Sequence, residues 1–449
     1  MIRLSFILAV IFGIAAGSAW LADHPGNVSI DFQAWHVDTS FAAIVTLASL
    51  IVILVGSTVW FTQWLRREMP VVGSNSVIKR QSKGLELLNK SLVALSAGDH
   101  KSTKRFIEQA ELLLPPQPMV HLIAAEAATR MGDKAGAKKR FEALRSTDDG
   151  KLIGLRGLLT QAQASGKESE ALRLARSALE ENSKSPWVLK TLFALEVAAG
   201  EWLSATSTLG KLEKAGLIDS VVSKRHLAAV NHSMAVEKRL AGDLDGARKL
   251  FKQASSLRGD LTAAVIALVQ MEKADNHMGK AKTLLAKAWA IMPYPEYITA
   301  LDQLDPTMTS KAWVSAVTAL IKGLPDHPAS RRVLAEAYIK DEQLPTAGAI
   351  IDQLIEQGPI KATYRLQAEY LEALGEDAEV ANNKVYGASA DPAWQCDDCG
   401  HLPRYWSTHC DNCGHFDTLD WQDEPLAVSK FTQTVESGDS IALLLEDAG

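Results

Sequence analysis

Glycines recur at a fixed interval along this chain, and that interval limits its possible folds more than any other feature. Gly98, Gly132, Gly166 and Gly200 are evenly spaced, in the contexts LSAGDH, TRMGDK, QASGKE and VAAGEW. Ala137, Ala171 and Ala205 follow the last three by five residues, and Phe141, Ala175 and Leu209 come four residues later. The register restarts at Gly242 (with Ala247, Phe251 and Ala254) and continues one full interval on at Asn276 (with Ala281, Leu285 and Ala288). It returns around Glu342, followed by Ala347, Ile351 and Leu354. Pro115, Pro293 and Pro359 each lie half an interval beyond their own mark. A glycine can end a helix in left-handed backbone, a small residue lets two helices cross closely, and a proline stops the second helix. The pattern predicts helix–turn–helix units that stack on one another, because one such pair cannot bury its apolar face alone.

The period, about 34 residues, and these positions resemble the tetratricopeptide repeat over roughly residues 82 to 388. The chain is therefore expected to be mostly α-helical, an α-solenoid. The early tryptophan and tyrosine of that repeat are mostly replaced here by Leu or Ala. The stretch from 210 to 240 carries about eight extra residues, and 300 to 340 keeps helical periodicity with weak marks. A solenoid offers an extended groove lined by the first helix of each pair, which suits binding of a peptide, a helix or another protein. The chain has no Gly-rich phosphate loop, G-x-S-x-G, HExxH or dinucleotide fingerprint, so no catalytic residues are assigned. His121, His226 and His232 read as surface or packing residues.

Two apolar stretches precede the repeats. Leu4 to Ala22 and Phe41 to Leu65 contain no charged residue, and each is long enough to cross a hydrocarbon layer of ~30 Å as a helix. A cleaved signal peptide is the other reading of the first, although small-x-small cleavage residues are poorly formed at Ser18 to Ala22. The loop at 23–40 has three Asp and no Lys or Arg, whereas Arg66, Arg67, Lys79, Arg80 and Lys83 follow the second stretch. The expectation is a multi-pass protein of the inner (cytoplasmic) membrane with both termini cytoplasmic. The alternation in NVSIDFQAW suggests a small hairpin in the outer loop.

All four cysteines lie near the C-terminus, as CDDCG and CDNCG, ten residues apart. A disulfide framework does not suit the reducing cytoplasm, and a redox CxxC needs a thioredoxin-like βαβ context that neither pair has and would not need a duplicate. Tetrahedral thiolate coordination explains both knuckles: Cys396, Cys399, Cys410 and Cys413 are the expected ligands of Zn²⁺, with iron in a rubredoxin-like site as the minor alternative. Gly400 and Gly414 permit the left-handed turn after each knuckle. His401, His409 and His415 are expected to face solvent or to support the ligands, and Trp394, Trp406 and Trp421 to cover the site. From Asp391 onward there are twelve acidic residues against two basic ones, Arg404 and Lys430, in a chain of net charge −6. Such a surface is a poor partner for nucleic acid, and docking onto the chain's own solenoid or onto a basic partner fits better. The expected parts are a membrane anchor at 1–70 with spans at about 4–22 and 41–65, a solenoid at 71–390, a zinc-ribbon or rubredoxin-like module at 391–425, and an acidic tail at 426–449.

Two N-terminal spans, the loop HPGNVSIDFQAWHVDTS, a cytoplasmic solenoid and a C-terminal ribbon together resemble the HemY family, the membrane-anchored tetratricopeptide proteins linked to haem biosynthesis. The resemblance covers essentially the whole chain and is most specific in residues 1–70. It implies a non-enzymatic scaffold in a late step of haem (porphyrin) biosynthesis, with haem-pathway enzymes as possible partners. The unrelated flavoprotein oxidase that shares the name has a dinucleotide fingerprint, which this chain lacks. Lipopolysaccharide assembly protein B is similar in architecture, with one span rather than two, and implies an envelope-assembly or proteolysis adaptor. A direct porphyrin-binding carrier is a further alternative, with His24, His36 or His409 as axial ligands.

Overall fold

The turns set the architecture. In the computed structural model, Gly98, Gly132, Gly166, Gly200, Gly242, Asn276, Glu342 and Gly375 all adopt left-handed backbone, with φ between 58° and 83°. At each of the eight, the next amide donates to the carbonyl five residues back, at 2.8 to 3.0 Å. That bond satisfies a carbonyl otherwise orphaned at the helix end and reverses the chain. Seven of these positions are the register marks read from the sequence, and Gly375 adds one more. Asp99, Asp133 and Asp243 then cap the next helix, accepting from the amides of Ser102, Gly136 and Gly246.

The structure describes residues 26–32, 35–68 and 74–426, with isolated positions between 12 and 23. Most of the span expected at 4–22 lies outside the described residues, as does the tail at 426–449 except for Leu426. The chain divides into two compact units between Arg140 and Phe141.

In the first unit, β1 (Asn27–Phe32) pairs antiparallel with β2 (Trp35–Ser40), which is the hairpin expected from the alternating loop. Helix α1 (Phe41–Glu68) follows directly. Its Phe41–Gln63 stretch has a mean hydropathy of 2.4 with none of it buried, and Leu47, Ile51 and Leu54 are open to the surroundings. Among the described residues it is the one helix long and apolar enough to cross a membrane. The helices α2 (Ser74–Ser96) and α3 (His100–Glu111), then α4 (Pro118–Arg130) and α5 (Lys134–Arg145), form the first two pairs.

The second unit continues with seven pairs: α6 (Lys151–Ala164) with α7 (Glu168–Glu181), α8 (Pro186–Ala198) with α9 (Trp202–Lys214), α10 (Ser220–Leu240) with α11 (Leu244–Leu257), and α12 (Thr262–Ala274) with α13 (Met278–Ile291). Then come α14 (Pro295–Leu304) with α15 (Ser310–Ile321), α16 (Pro328–Lys340) with α17 (Leu344–Glu356), and α18 (Lys361–Leu374) with α19 (Glu379–Gly387). The small residues of the register are at the helix crossings. Ala171, Ala205, Ala247, Ala281 and Ala347 are wholly buried, as are Phe251 and Leu285. Pro115, Pro293 and Pro359 fall just past α3, α13 and α17, as their spacing requires. The weakly marked stretch holds α14 and α15, which are joined without a glycine turn and restarted by Thr309, whose hydroxyl accepts from the Ala312 amide.

The extra residues near 210 to 240 form no loop. They lengthen α10 to 21 residues, against 13 in α8, adding about 12 Å of helix N-terminal to the repeat's usual start. Finally β3 (Ala393–Cys396) pairs antiparallel with β4 (Leu419–Gln422) to make the core of the ribbon.

Candidate metal centre

Each knuckle is built the same way. Gly400 N donates to Cys396 O at 2.9 Å and Cys396 N to His401 O at 2.9 Å; Gly414 N donates to Cys410 O at 2.8 Å and Cys410 N to His415 O at 2.9 Å. Gly400 and Gly414 take φ of +69° and +74°, the left-handed turn that folds each pair of sulfurs inward. Cys396 Sγ lies 3.7 Å from Cys413 Sγ, and Cys399 Sγ lies 3.7 Å from Cys410 Sγ. All four sulfurs lie within 4.8 Å of one another. A disulfide needs about 2.05 Å, so these are free thiols. A tetrahedron with ~2.3 Å metal–sulfur bonds has edges of about 3.8 Å, so the four sulfurs can hold one metal ion.

The protons on these sulfurs are unevenly held. Burial pushes the Cys413 thiol up to about 12 and raises Cys410 as well. At Cys399 burial is outweighed by hydrogen bonds, first from the Asn412 amide, and the thiol falls to about 7. Four ionised thiolates at this spacing repel one another, and a divalent cation among them is the usual compensation. Asp397 beside the site is raised to about 6, by burial first and then by the neighbouring Asp420.

The ribbon lies against the inner helices of the second unit. The Asp417 side chain is fully buried: Oδ2 is 2.8 Å from His226 Nδ1 and 3.4 Å from Arg225 Nε, and Oδ1 is 3.3 Å from Arg258 Nη1. Arg225 also donates to Asp420 at 2.7 Å and to the Asp417 carbonyl at 2.9 Å. Arg225 and His226 lie in the two extra turns of α10, so the insertion in the repeat supplies part of the grip on the ribbon. Further along, the Ala362 amide and Arg365 both bond Asp391.

The tryptophans expected to cover the cysteines make their ring contacts chiefly with the solenoid. Trp394 stacks on Tyr294 (5.1 Å between centroids) and donates its indole N–H to Glu296 Oε1 at 2.8 Å. Trp421 meets the edge of Tyr294, and Trp406 stands edge-on to His232 at 5.3 Å. Burial raises Glu296 above the usual carboxylate range, and the Trp394 bond opposes that rise. Ribbon residues Trp394, Cys396, Trp406, Cys410 and Leu419 therefore belong to the same core as α10 to α16. Part of the groove expected to be open to partners is occupied by the chain itself.

The histidines sort as packing or supporting groups. His226 packs against Phe193 and Phe416, His232 against Phe251 and Trp406, and His409 against Trp202 and Phe416. His415 is exposed and bonds Asp398 at 2.7 Å. Arg225, Arg258, Tyr294 and Glu296 carry the docking surface and have no local signature. The only hint in the sequence is the acidic ribbon opposite a net basic repeat region.

The segment 26–132, from the hairpin through α1 to the second repeat pair, matches the family model described as the HemY protein N-terminus. Protein HemY of Escherichia coli K12 is 23% identical over 402 residues, covering 85% of this chain and 95% of that protein, and Protein HemY of Shigella flexneri matches to the same extent. Among solved structures, YrrB, a TPR protein with an unusual peptide-binding site, is 16% identical with a TM-score of 0.29 and covers 43% of this chain and 95% of its own. Pseudomonas aeruginosa pilF gives 14% and 0.27, covering 49% and 96%. Those superpositions are loose, and the repeat assignment rests on the turns and helix pairs of the chain itself. With the N-terminal match, the similarity along most of its length and nine helix pairs among the described residues, this chain is a HemY-like tetratricopeptide-repeat protein.

Proposed function

We propose that this protein is a non-enzymatic scaffold of the inner membrane that acts in a late step of haem biosynthesis by organising partner enzymes. The observation that carries the proposal is the HemY likeness, which spans the membrane-proximal segment and 85% of the chain. The repeats support a protein-binding role, since stacked helix pairs present extended surfaces rather than one enclosed catalytic cavity. In this reading 1–70 is a two-span anchor and 71–390 the cytoplasmic solenoid. Residues 391–425 form a ribbon in which Cys396, Cys399, Cys410 and Cys413 bind Zn²⁺, and 426–449 is an acidic tail. The four-sulfur spacing supports the metal; rubredoxin-like iron has the same geometry. When bound, the ion supplies the positive charge that lets four thiolates sit together and holds the ribbon folded.

Crosslinking in intact membranes, followed by identification of the attached proteins, is the test. Haem-pathway enzymes should be recovered, and porphyrin should accumulate abnormally in a deletion strain. Recovery of none of them, together with normal porphyrin levels, would sink the reading. Recovery of a membrane protease instead would favour the envelope-adaptor role, which the pairing of repeats with a four-cysteine ribbon also supports.

A further inference from the structure

A cavity of about 360 Å³ lies between the ribbon and the inner faces of α10, α12 and α14. Its walls are largely apolar, from Phe251, Ile266, Ala267 and Ala300. Yet three polar atoms at residues lining it are buried without a hydrogen-bond partner: Trp406 Nε1, Glu296 Oε2 and His232 Nδ1. Trp406 is 5% exposed and Glu296 8%. A buried polar atom left unpaired costs on the order of 1–3 kcal/mol, so three around one cavity mark a place that a ligand completes.

The chemistry of these atoms restricts that ligand. An indole N–H can only donate, so the ligand must bring an acceptor. Glu296 already accepts from Trp394 through Oε1, and its free Oε2 calls for a donor. A peptide group carries both, a carbonyl and an N–H. Arg239 and Glu296 are the two formally charged residues at the cavity, and their signs cancel. A strongly anionic segment would meet Glu296 and a strongly cationic one Arg239. The apolar walls suit one aliphatic side chain.

We propose that this cavity is a binding site for an uncharged, extended peptide segment of a partner protein, which inserts an aliphatic side chain and pairs a backbone amide with Trp406 and Glu296. The site is composite: Tyr405 and Trp406 come from the ribbon, so it exists only while the ribbon is docked. The inference rests on the protein-binding role proposed above and specifies where one partner contact is made.

The test uses the full chain in detergent micelles, labelled with 5-fluorotryptophan, with the Trp406 fluorine resonance identified by its loss in Trp406→Phe. The probes are N-acetyl-Ala-Leu-Ala-methylamide and its Asp-Leu-Asp and Lys-Leu-Lys counterparts. The neutral probe should shift the Trp406 resonance saturably, and both charged probes should bind at least about five-fold more weakly. Ala267→Phe, which fills the cavity, should abolish the shift while the Trp394 and Trp421 resonances stay in place. If those two move, Ala300→Leu is read in the same way. An unmoved Trp406 resonance, equal response to all three probes, or a shift that survives both fillings overturns the proposal. Enzyme partners recovered by membrane crosslinking alongside a silent Trp406 would leave the scaffold role standing and remove only this site.

Discussion

Trp394 donates its indole N–H to Glu296 across 98 positions of sequence, at 2.8 Å and fully buried. One bond ties the first strand of the ribbon to an inner helix of the solenoid. Trp394→Phe keeps an aromatic ring against Tyr294 but removes the indole donor and the ring that carries it, leaving Glu296 Oε1 without that bond. Stability should fall by about 1–3 kcal/mol, measured as a shift of the denaturant midpoint at constant slope. No shift would mean that water replaces the bond and that the contact is not dry.

Asp417 sits with no exposed side chain between Arg225, His226 and Arg258, in left-handed backbone at φ +52°. Asp417→Ala removes the carboxylate shared by Arg225, His226 and Arg258, leaves both guanidiniums paired only with Asp420 and, for Arg258, Asp260, and strains the turn; it should cost about 2–3 kcal/mol. Asp417→Asn keeps the backbone preference and some hydrogen bonding, and should cost clearly less. Hydrogen exchange across residues 393–422 reads the result directly, because an undocked ribbon loses protection there first.

Metal analysis should find one ion per chain, and Cys413→Ser or chelation should remove it. Because Trp394, Cys396 and Trp406 are part of the core of α10 to α16, loss of the metal should also raise exchange in helices Ser220–Leu240 and Thr262–Ala274. Exchange confined to the ribbon would show that the two cores are energetically separate.

Burial holds the His232 imidazole neutral, pushing it down from 6.5 to about 4. The unfolded chain takes up this proton near pH 6.5 and the folded chain only near pH 4. The contribution of neutral His232 is therefore complete above pH 6.5 and is lost as the pH falls towards 4, on the order of 2 kcal/mol once partial solvent access is allowed for. His232→Leu should flatten the stability profile across that window. Parallel profiles for the two proteins would refute the assignment.

Glu342 carries out a glycine's task at φ +58°, whereas nothing lies within 4 Å of a Cβ added at Gly166. Glu342→Gly should stabilise the chain by up to about 1 kcal/mol and Gly166→Ala should destabilise it by up to about as much, the change in backbone strain outweighing the opposite change in unfolded-chain entropy. Equal and negligible midpoint shifts would show that these turns tolerate side chains.

Local chemistry was readable along the chain because its causes are local. A left-handed turn needs Gly or a rare substitute, so Gly98 through Glu342 marked the repeats; Gly375 carries the same signal almost one full period beyond Glu342. A C-x-x-C-G knuckle folds on its own hydrogen bonds, so the grouping of four sulfurs followed from spacing. The N-terminal extension of α10 was less legible, since an insertion of this length reads equally as a loop or as extra helix.

The sequence by itself determined the helix pairs, the apolar helix at Phe41 and the four-sulfur cluster, each set by residues within a few turns of one another. Only the tertiary structure decided that the ribbon lies in the solenoid's own groove. That placement depends on Arg225, Arg258, Tyr294 and Glu296 meeting Asp417, Asp420 and Trp394 from about 100 to 200 residues away, through charge and ring contacts that no periodicity encodes. It converts part of an open binding groove into a buried core and leaves a cavity, between Trp406 and Glu296, with buried polar atoms that lack partners.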